Sequence, residues 1–138
     1  MSVYLDASVL VSLFIVDANS KAALGKVRRL SDTLVVSDLG AAEFASAIAR
    51  RVRMKVTPTD VAHAAFVAFD AWVAANAEAV DLAPSDIAET ARMLRRLESN
   101  LRTPDALHLS IVRRIGASLL TLDKDMKAVA KSAGVKVI

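Results

Sequence analysis

The sequence predicts an α/β domain: a doubly wound, mainly parallel sheet of about five strands with helices on both faces. Three observations carry this. Short apolar runs alternate with longer stretches in which apolar residues recur at helical spacing. The short runs are continuous rather than alternating, as strands covered on both faces should be. Turn and capping residues mostly separate the segments, and no long linker or internal repeat interrupts them. At 138 residues the chain makes one domain, 1–138, with room for a substantial core.

The first strand is Val3 to Asp6, in "VYLDAS". Asp6 stands between that run and a second apolar one, Ala7 to Val16. An unpaired carboxylate buried there is costly, so Asp6 should be paired, liganded or exposed at a strand end. Thr33 to Ser37 is the second strand, and "SDLGAAEFASAIARR" follows as a helix capped by Ser37 and Asp38, with Glu43 one turn in. Thr57-Pro58-Thr59-Asp60 offers an N-cap, a proline at the first helical position and an early acid. Val61, Ala65, Phe69, Trp72 and Val73 then recur at helical spacing, which places Trp72 in the core. Ala79 to Leu82 is the third strand. Pro84-Ser85-Asp86 opens a helix with Ile87, Ala91, Leu94 and Leu97 on one side. Thr103-Pro104-Asp105 repeats the cap pattern, and that helix stops at Gly116. Ser118 to Leu122 is the fourth strand, with Asp123 at its end, and Gly134 separates the last helix from a fifth strand, Lys136 to Ile138.

Hydrophobic residues make up 54% and charged ones 24%, a globular balance. With no cysteine, disulfides and thiolate metal sites are excluded, so any metal must be held by oxygen or by the two histidines. The run from Ala7 to Val16 is too short to span a bilayer and no basic region precedes it, which predicts a cytoplasmic protein. The net charge of +3 is modest. Basic residues cluster at Arg50, Arg51, Arg53 and Lys55, at Arg95 and Arg96, and at Arg113 and Arg114. Most such helical pairs are a solvated face, and nucleic-acid binding is the minority reading on charge alone.

Four acids stand out: Asp6, Glu43, Asp105 and Asp123. Singly, each has an ordinary explanation as a turn, cap or surface residue. Together they share one edge of the sheet, at strand ends or near the start of helices that should follow them. Ligands bind there in this fold class. Two carboxylates about 4 Å apart repel by roughly 4 kcal/mol at an effective dielectric of about 20. Such a cluster shares protons or binds cations, and without cysteine the natural guest is Mg²⁺ or Mn²⁺.

The ordered segments "YLDAS", "SDLGAAEFASAIAR", "TPDALHLS" and "LLTLDKDM" resemble those of PIN-domain proteins, most closely the VapC toxins of bacterial toxin–antitoxin pairs, from Met1 to Ile138. The resemblance implies a metal-dependent ribonuclease site formed by Asp6, Glu43, Asp105 and Asp123. Asp6, Asp105 and Asp123 would hold Mg²⁺, with Mn²⁺ able to substitute, and Glu43 would help hold a metal or orient its water. Ser8 and Thr121 match family hydroxyl positions, and Asp125 is a possible fifth acid. His108 is expected to be packed or hydrogen-bonded rather than a ligand, and His63 is assigned no role. The implied partners are an RNA substrate, a cognate VapB-type antitoxin and a second copy of the chain, with no membrane. Phe66, Phe69 and Trp72 exceed what one core face needs and are expected to supply a homodimer interface. The alternative is a non-catalytic PIN-like RNA-binding or scaffold protein, against which the intact acids argue. An aspartyl-phosphate phosphotransferase is disfavoured because Ser8 stands where a second aspartate belongs, and no G-x-G-x-x-G follows a strand.

Overall fold

The computed structural model describes residues 1–138. In chain order the elements are β1 (Ser2–Leu5), α1 (Ala7–Phe14), α2 (Ser20–Arg29), β2 (Thr33–Ser37), α3 (Asp38–Arg53), α4 (Thr59–Asn76), β3 (Ala77–Val80), α5 (Pro84–Arg95), α6 (Thr103–Ile115), β4 (Ser118–Leu120) and α7 (Lys124–Ser132). The sheet runs β3-β2-β1-β4 with every pairing parallel. Central β1 sets Tyr4 opposite both Val35 and Leu119.

Strand alternation splits the core in two. Val3, Leu5, Val36 and Leu120 face one side and pack with Val9 and Leu10 of α1, Phe44 and Ile48 of α3 and Phe69 of α4. Tyr4, Val35 and Leu119 face the other and pack with Leu109 and Val112 of α6 and Met126 and Ala130 of α7. The α6 helix ends as its sequence predicts, with Gly116 at φ 65, a left-handed cap that a side chain would strain.

Several expectations are corrected. The run from Ala7 to Val16, to which the sequence assigns no element, contributes a helix, α1, and a further helix, α2, precedes β2. Lys136 to Ile138 meets β4 only through an isolated Leu119–Val137 bridge, so the regular sheet has four strands. Two hydrogen bonds hold that segment: Leu119 N–H donates to Lys136 O at 2.8 Å, and Ile138 N–H donates to Leu119 O at 2.9 Å. β3 begins at Ala77, because α4 passes straight into it with no turn residue between. Thr57 caps nothing; its buried hydroxyl accepts from Arg51 Nε at 3.0 Å. Asp38 leaves the cap to Ser37 and instead ties α3 to the end of β3, accepting from Leu39 N at 2.7 Å and Leu82 N at 2.8 Å.

The aromatic residues expected at an interface are interior or half-buried against the core. Phe44 stacks on Phe69 with centroids 4.2 Å apart, and Phe14 meets Phe69 and Trp72 edge-on. Phe66 packs edge-on against Phe44. On α5 the buried face is not the apolar one anticipated. Ile87 is exposed and Leu97 lies beyond the helix, 90% exposed with φ 57. Asp86 and Thr90 are buried instead, because α6 supplies partners for both. Arg114 grips the Asp86 carboxylate with two bonds of 2.8 and 2.9 Å, and Thr90 meets Ser110 at 3.0 Å. No helix is long and apolar enough to cross a membrane.

Candidate active site

The carboxyl edge of the sheet places each acid through a helix start. Asp6 follows β1 directly and is the N-cap of α1 rather than a strand residue. Its backbone N–H donates to Leu120 O at 3.3 Å, which fixes it at the β1–β4 seam. Oδ1 accepts from Ser8 Oγ at 2.5 Å and from Val9 N at 3.3 Å. Only 5% of the residue is exposed. Burial pushes its carboxyl above the usual aspartate range, and the Ser8 and Thr121 hydroxyls oppose that shift. The carboxylate that ends the first apolar run is thus buried and held by hydroxyl and amide donors.

Those hydroxyls lead to the next acid. Ser8 Oγ accepts from Leu122 N at 3.0 Å and lies 3.4 Å from Thr121 Oγ1. Thr121 Oγ1 in turn accepts from Asp123 N at 3.1 Å. Asp123 is the N-cap of α7, its Oδ1 accepting from Asp125 N at 2.8 Å and Met126 N at 3.0 Å. Asp105 sits half-buried in the first turn of α6. It shares with Asp123 and Asp125 a cleft of about 580 Å³, walled by the α5–α6 loop and α7, which Arg96, Asn100 and Arg102 also line.

Glu43, half-buried on α3, pairs with His108 Nε2. His108 lies one turn after Asp105 and is 3% exposed, and its Nδ1 meets Tyr4 Oη at 2.6 Å. Tyr4 Oη also meets Ser37 Oγ at 2.6 Å, and Ser37 accepts from Gly40 N at 2.9 Å. The expectation of a hydrogen-bonded rather than ligating His108 therefore agrees with its contacts. His63 is exposed on α4, away from these groups.

The structure thus links Asp6 to Asp123 through two hydroxyls, joins Asp105 to Asp123 across one cleft, and brings Glu43 in through His108. No three acidic or imidazole side chains converge at metal-ligand distance, so the acids form an arc rather than a closed cage. The donor set is carboxylate oxygen throughout. That suits a hard divalent cation, since Mg²⁺ binds through one or two carboxylates and keeps several waters. Tyr4, Ser37 and Arg102 join the site without having been singled out from sequence. The available signal was a hydroxyl at Tyr4 in an otherwise apolar strand.

The basic clusters sort differently. Arg114 is spent on Asp86, and Arg113 reaches Glu89 at 3.4 Å. Arg53 ends α3, about 15 Å along the helix axis from Glu43.

Solved structures of the same fold include the VapC20 toxin of Mycobacterium tuberculosis, described as cleaving the sarcin–ricin loop. It is 18% identical over 92% of this chain and 94% of its own, with a TM-score of 0.76. VapBC2 from Rickettsia felis, solved with a DNA fragment from its promoter, is 14% identical over 100% and 98%, with a TM-score of 0.73. VapBC-1 from nontypeable Haemophilus influenzae is 15% identical over 100% and 97%, with a TM-score of 0.71. Comparison with curated proteins gives no match. The PIN domain family model matches residues 3–132, and with nearly its whole length covered the chain belongs to the PIN-domain family.

Proposed function

We propose that this PIN-domain protein is a Mg²⁺-dependent endoribonuclease acting in the cytoplasm as the toxin of a VapBC-type pair. The observation that carries the reading is the buried Asp6, tied through Ser8 and Thr121 to the backbone of Asp123, which lines one cleft with Asp105. Asp6, Asp105 and Asp123 would hold the cation, directly or through water. A bound divalent ion lowers the pKa of a water and neutralises charge on the phosphate under attack. Ser8 and the backbone amides fix the rotamers of Asp6 and Asp123, and Glu43 orients the attacking water. No side-chain nucleophile is required.

Arg96 and Arg102 line the cleft and would supply contacts to the RNA phosphates. They stand against four acids there: Glu98, Asp105, Asp123 and Asp125. The excess of negative charge repels a polyanion until a cation is bound, so RNA binding and metal binding are coupled. The likeness to VapBC complexes supports a VapB-type antitoxin as partner. A second copy of the chain is the other proposed partner, which light scattering at micromolar concentration tests.

Purified protein should cut RNA with Mg²⁺ or Mn²⁺ and stop on addition of EDTA. Asp6→Ala and Asp123→Ala should abolish cleavage and relieve the growth arrest caused by expression without antitoxin. An Asp6→Ala protein as active and as toxic as the parent would overturn the reading. Cation-dependent RNA binding without cleavage would favour the non-catalytic RNA-binding or scaffold alternative.

A further inference from the structure

One buried line of side chains lies behind the acids, and its direction can be read from its ends. Gly40 N–H is a fixed donor, and it donates to Ser37 Oγ at 2.9 Å. With that lone pair occupied, the Ser37 proton points to Tyr4 Oη, 2.6 Å away. Tyr4 then gives its own proton to His108 Nδ1, also 2.6 Å away. A neutral imidazole that accepts at Nδ1 carries its proton on Nε2, and Nε2 is the atom that meets Glu43. The opposite direction would give the Ser37 oxygen two donors and leave its proton no acceptor. It would also require a charged buried imidazole or a protonated Glu43.

We propose that Tyr4 and His108 are positioning residues for Glu43. The N-terminus of α3, acting through Ser37 and Tyr4, locks His108 in the Nε2–H tautomer. His108 then fixes one oxygen of Glu43 and leaves the other for the water or cation of the reaction. The catalytic consequence rests on the nuclease reading above, whereas the tautomer and its effect on cation binding do not. The line also joins α3, β1, β2 and α6, so Glu43 is set relative to Asp6 and Asp105 by hydrogen bonds rather than by packing alone.

The chain has one tyrosine and two histidines, so each group can be read singly. Imidazole ¹⁵N NMR of the full chain, with His63→Ala to assign the exposed ring, should show His108 protonated on Nε2 and bare on Nδ1. In Tyr4→Phe, Nδ1–H should appear, Mn²⁺ affinity by EPR should weaken about tenfold, and kcat on RNA should fall about tenfold with KM unchanged. His108→Ala should lose as much, and His108→Gln, whose amide can still donate to Glu43, should recover most of it. That recovery separates positioning from mere loss of folding. A wild-type proton on Nδ1 overturns the proposal, as does a Tyr4→Phe protein with unchanged kcat and Mn²⁺ affinity, or with an altered KM alone. If wild type carries the Nε2 proton and Tyr4→Phe weakens Mn²⁺ binding, yet neither cuts RNA, the nuclease reading fails and the positioning of Glu43 stands.

Discussion

The two faces of the sheet hold their helices by different chemistry. Under α1, α3 and α4 the contact is hydrocarbon and aromatic, centred on Phe14, Phe44 and Phe69. Under α5 and α6 the buried set includes Asp86, Thr90, His108 and Ser110, each with a partner of defined geometry. The first arrangement stabilises by removing apolar surface from water and is indifferent to small rotations of a helix. The second gains less net free energy, because burying polar groups costs most of what their bonds return. It does dictate where α6 sits, and α6 carries Asp105 and His108. The directed side-chain bonds that set α6 thus lie on one side of the sheet and most of the aromatic burial on the other, while Asp6 and Glu43 ride on α1 and α3.

The hardest test of that division is Phe69→Ala. Removing a buried ring that stacks on Phe44 should cost about 3–5 kcal/mol, read by urea denaturation. The fraction that remains folded should keep wild-type kcat on RNA. A comparable fall in kcat for the folded fraction would show that the dry face also sets the site.

Arg114→Ala acts on the other side and should cost about 2–3 kcal/mol at neutral pH. That lies below a fully buried pair because the guanidinium is about one-third exposed. Burial pushes the Asp86 carboxyl upward, but the Arg114 bonds and charge outweigh it and hold the group below the ordinary aspartate range. A depressed folded pKa contributes stability that is present above the unfolded value, about 3.9, and is lost as pH falls through the folded one. Denaturation at pH 7 and pH 3 should therefore show the gap between wild type and Arg114→Ala narrowing in acid. A gap that stays constant would remove the ion pair as its cause.

The smallest stability effect, with the largest effect on cleavage, belongs to Asp6→Asn. The folded pKa of Asp6 is raised, so its charge disfavours the native state at neutral pH. The variant should melt slightly higher than wild type at pH 7 without metal, no higher at pH 3, and should cut no RNA. A lower melting temperature at pH 7 would mean that the Ser8 bond outweighs the cost of burying the charge.

Much of this was legible in the chain. Four strands were identified from short apolar runs, and three of those runs end at a polar residue, Asp6, Ser37 or Asp123, that caps the helix that follows. The four acids were legible for the same reason, since helix starts at one sheet edge must share a neighbourhood. What escaped was decided by partners far along the sequence. The period of the Ala7–Val16 run is ambiguous, and only packing on Val36 and Phe44 selects a helix. On α5 the sequence pattern favours Ile87 and Leu97 as inward residues, yet Arg114 and Ser110 draw Asp86 and Thr90 inside. Tyr4 could be read as core, but its link to His108 depends on β1 and α6 lying side by side.

Central β1 precedes both of its neighbours, β2 and β4, along the chain. Val3 pairs with Leu34 on one side and with Ser118 on the other. Parallel pairings close only after a crossover, so β1 spends most of synthesis with one edge open. The Asp6 amide reaches Leu120, and Ser8 reaches Thr121, only once β4 has emerged. A nascent chain can therefore carry Asp6 and Glu43 for several seconds without an assembled edge, at about 5–20 residues per second. The arrangement of the acids arrives as a step, once β4 has folded onto β1, rather than growing with length. A chain ending before β4 would carry Asp6, Glu43 and Asp105 without the seam that sets the acids together.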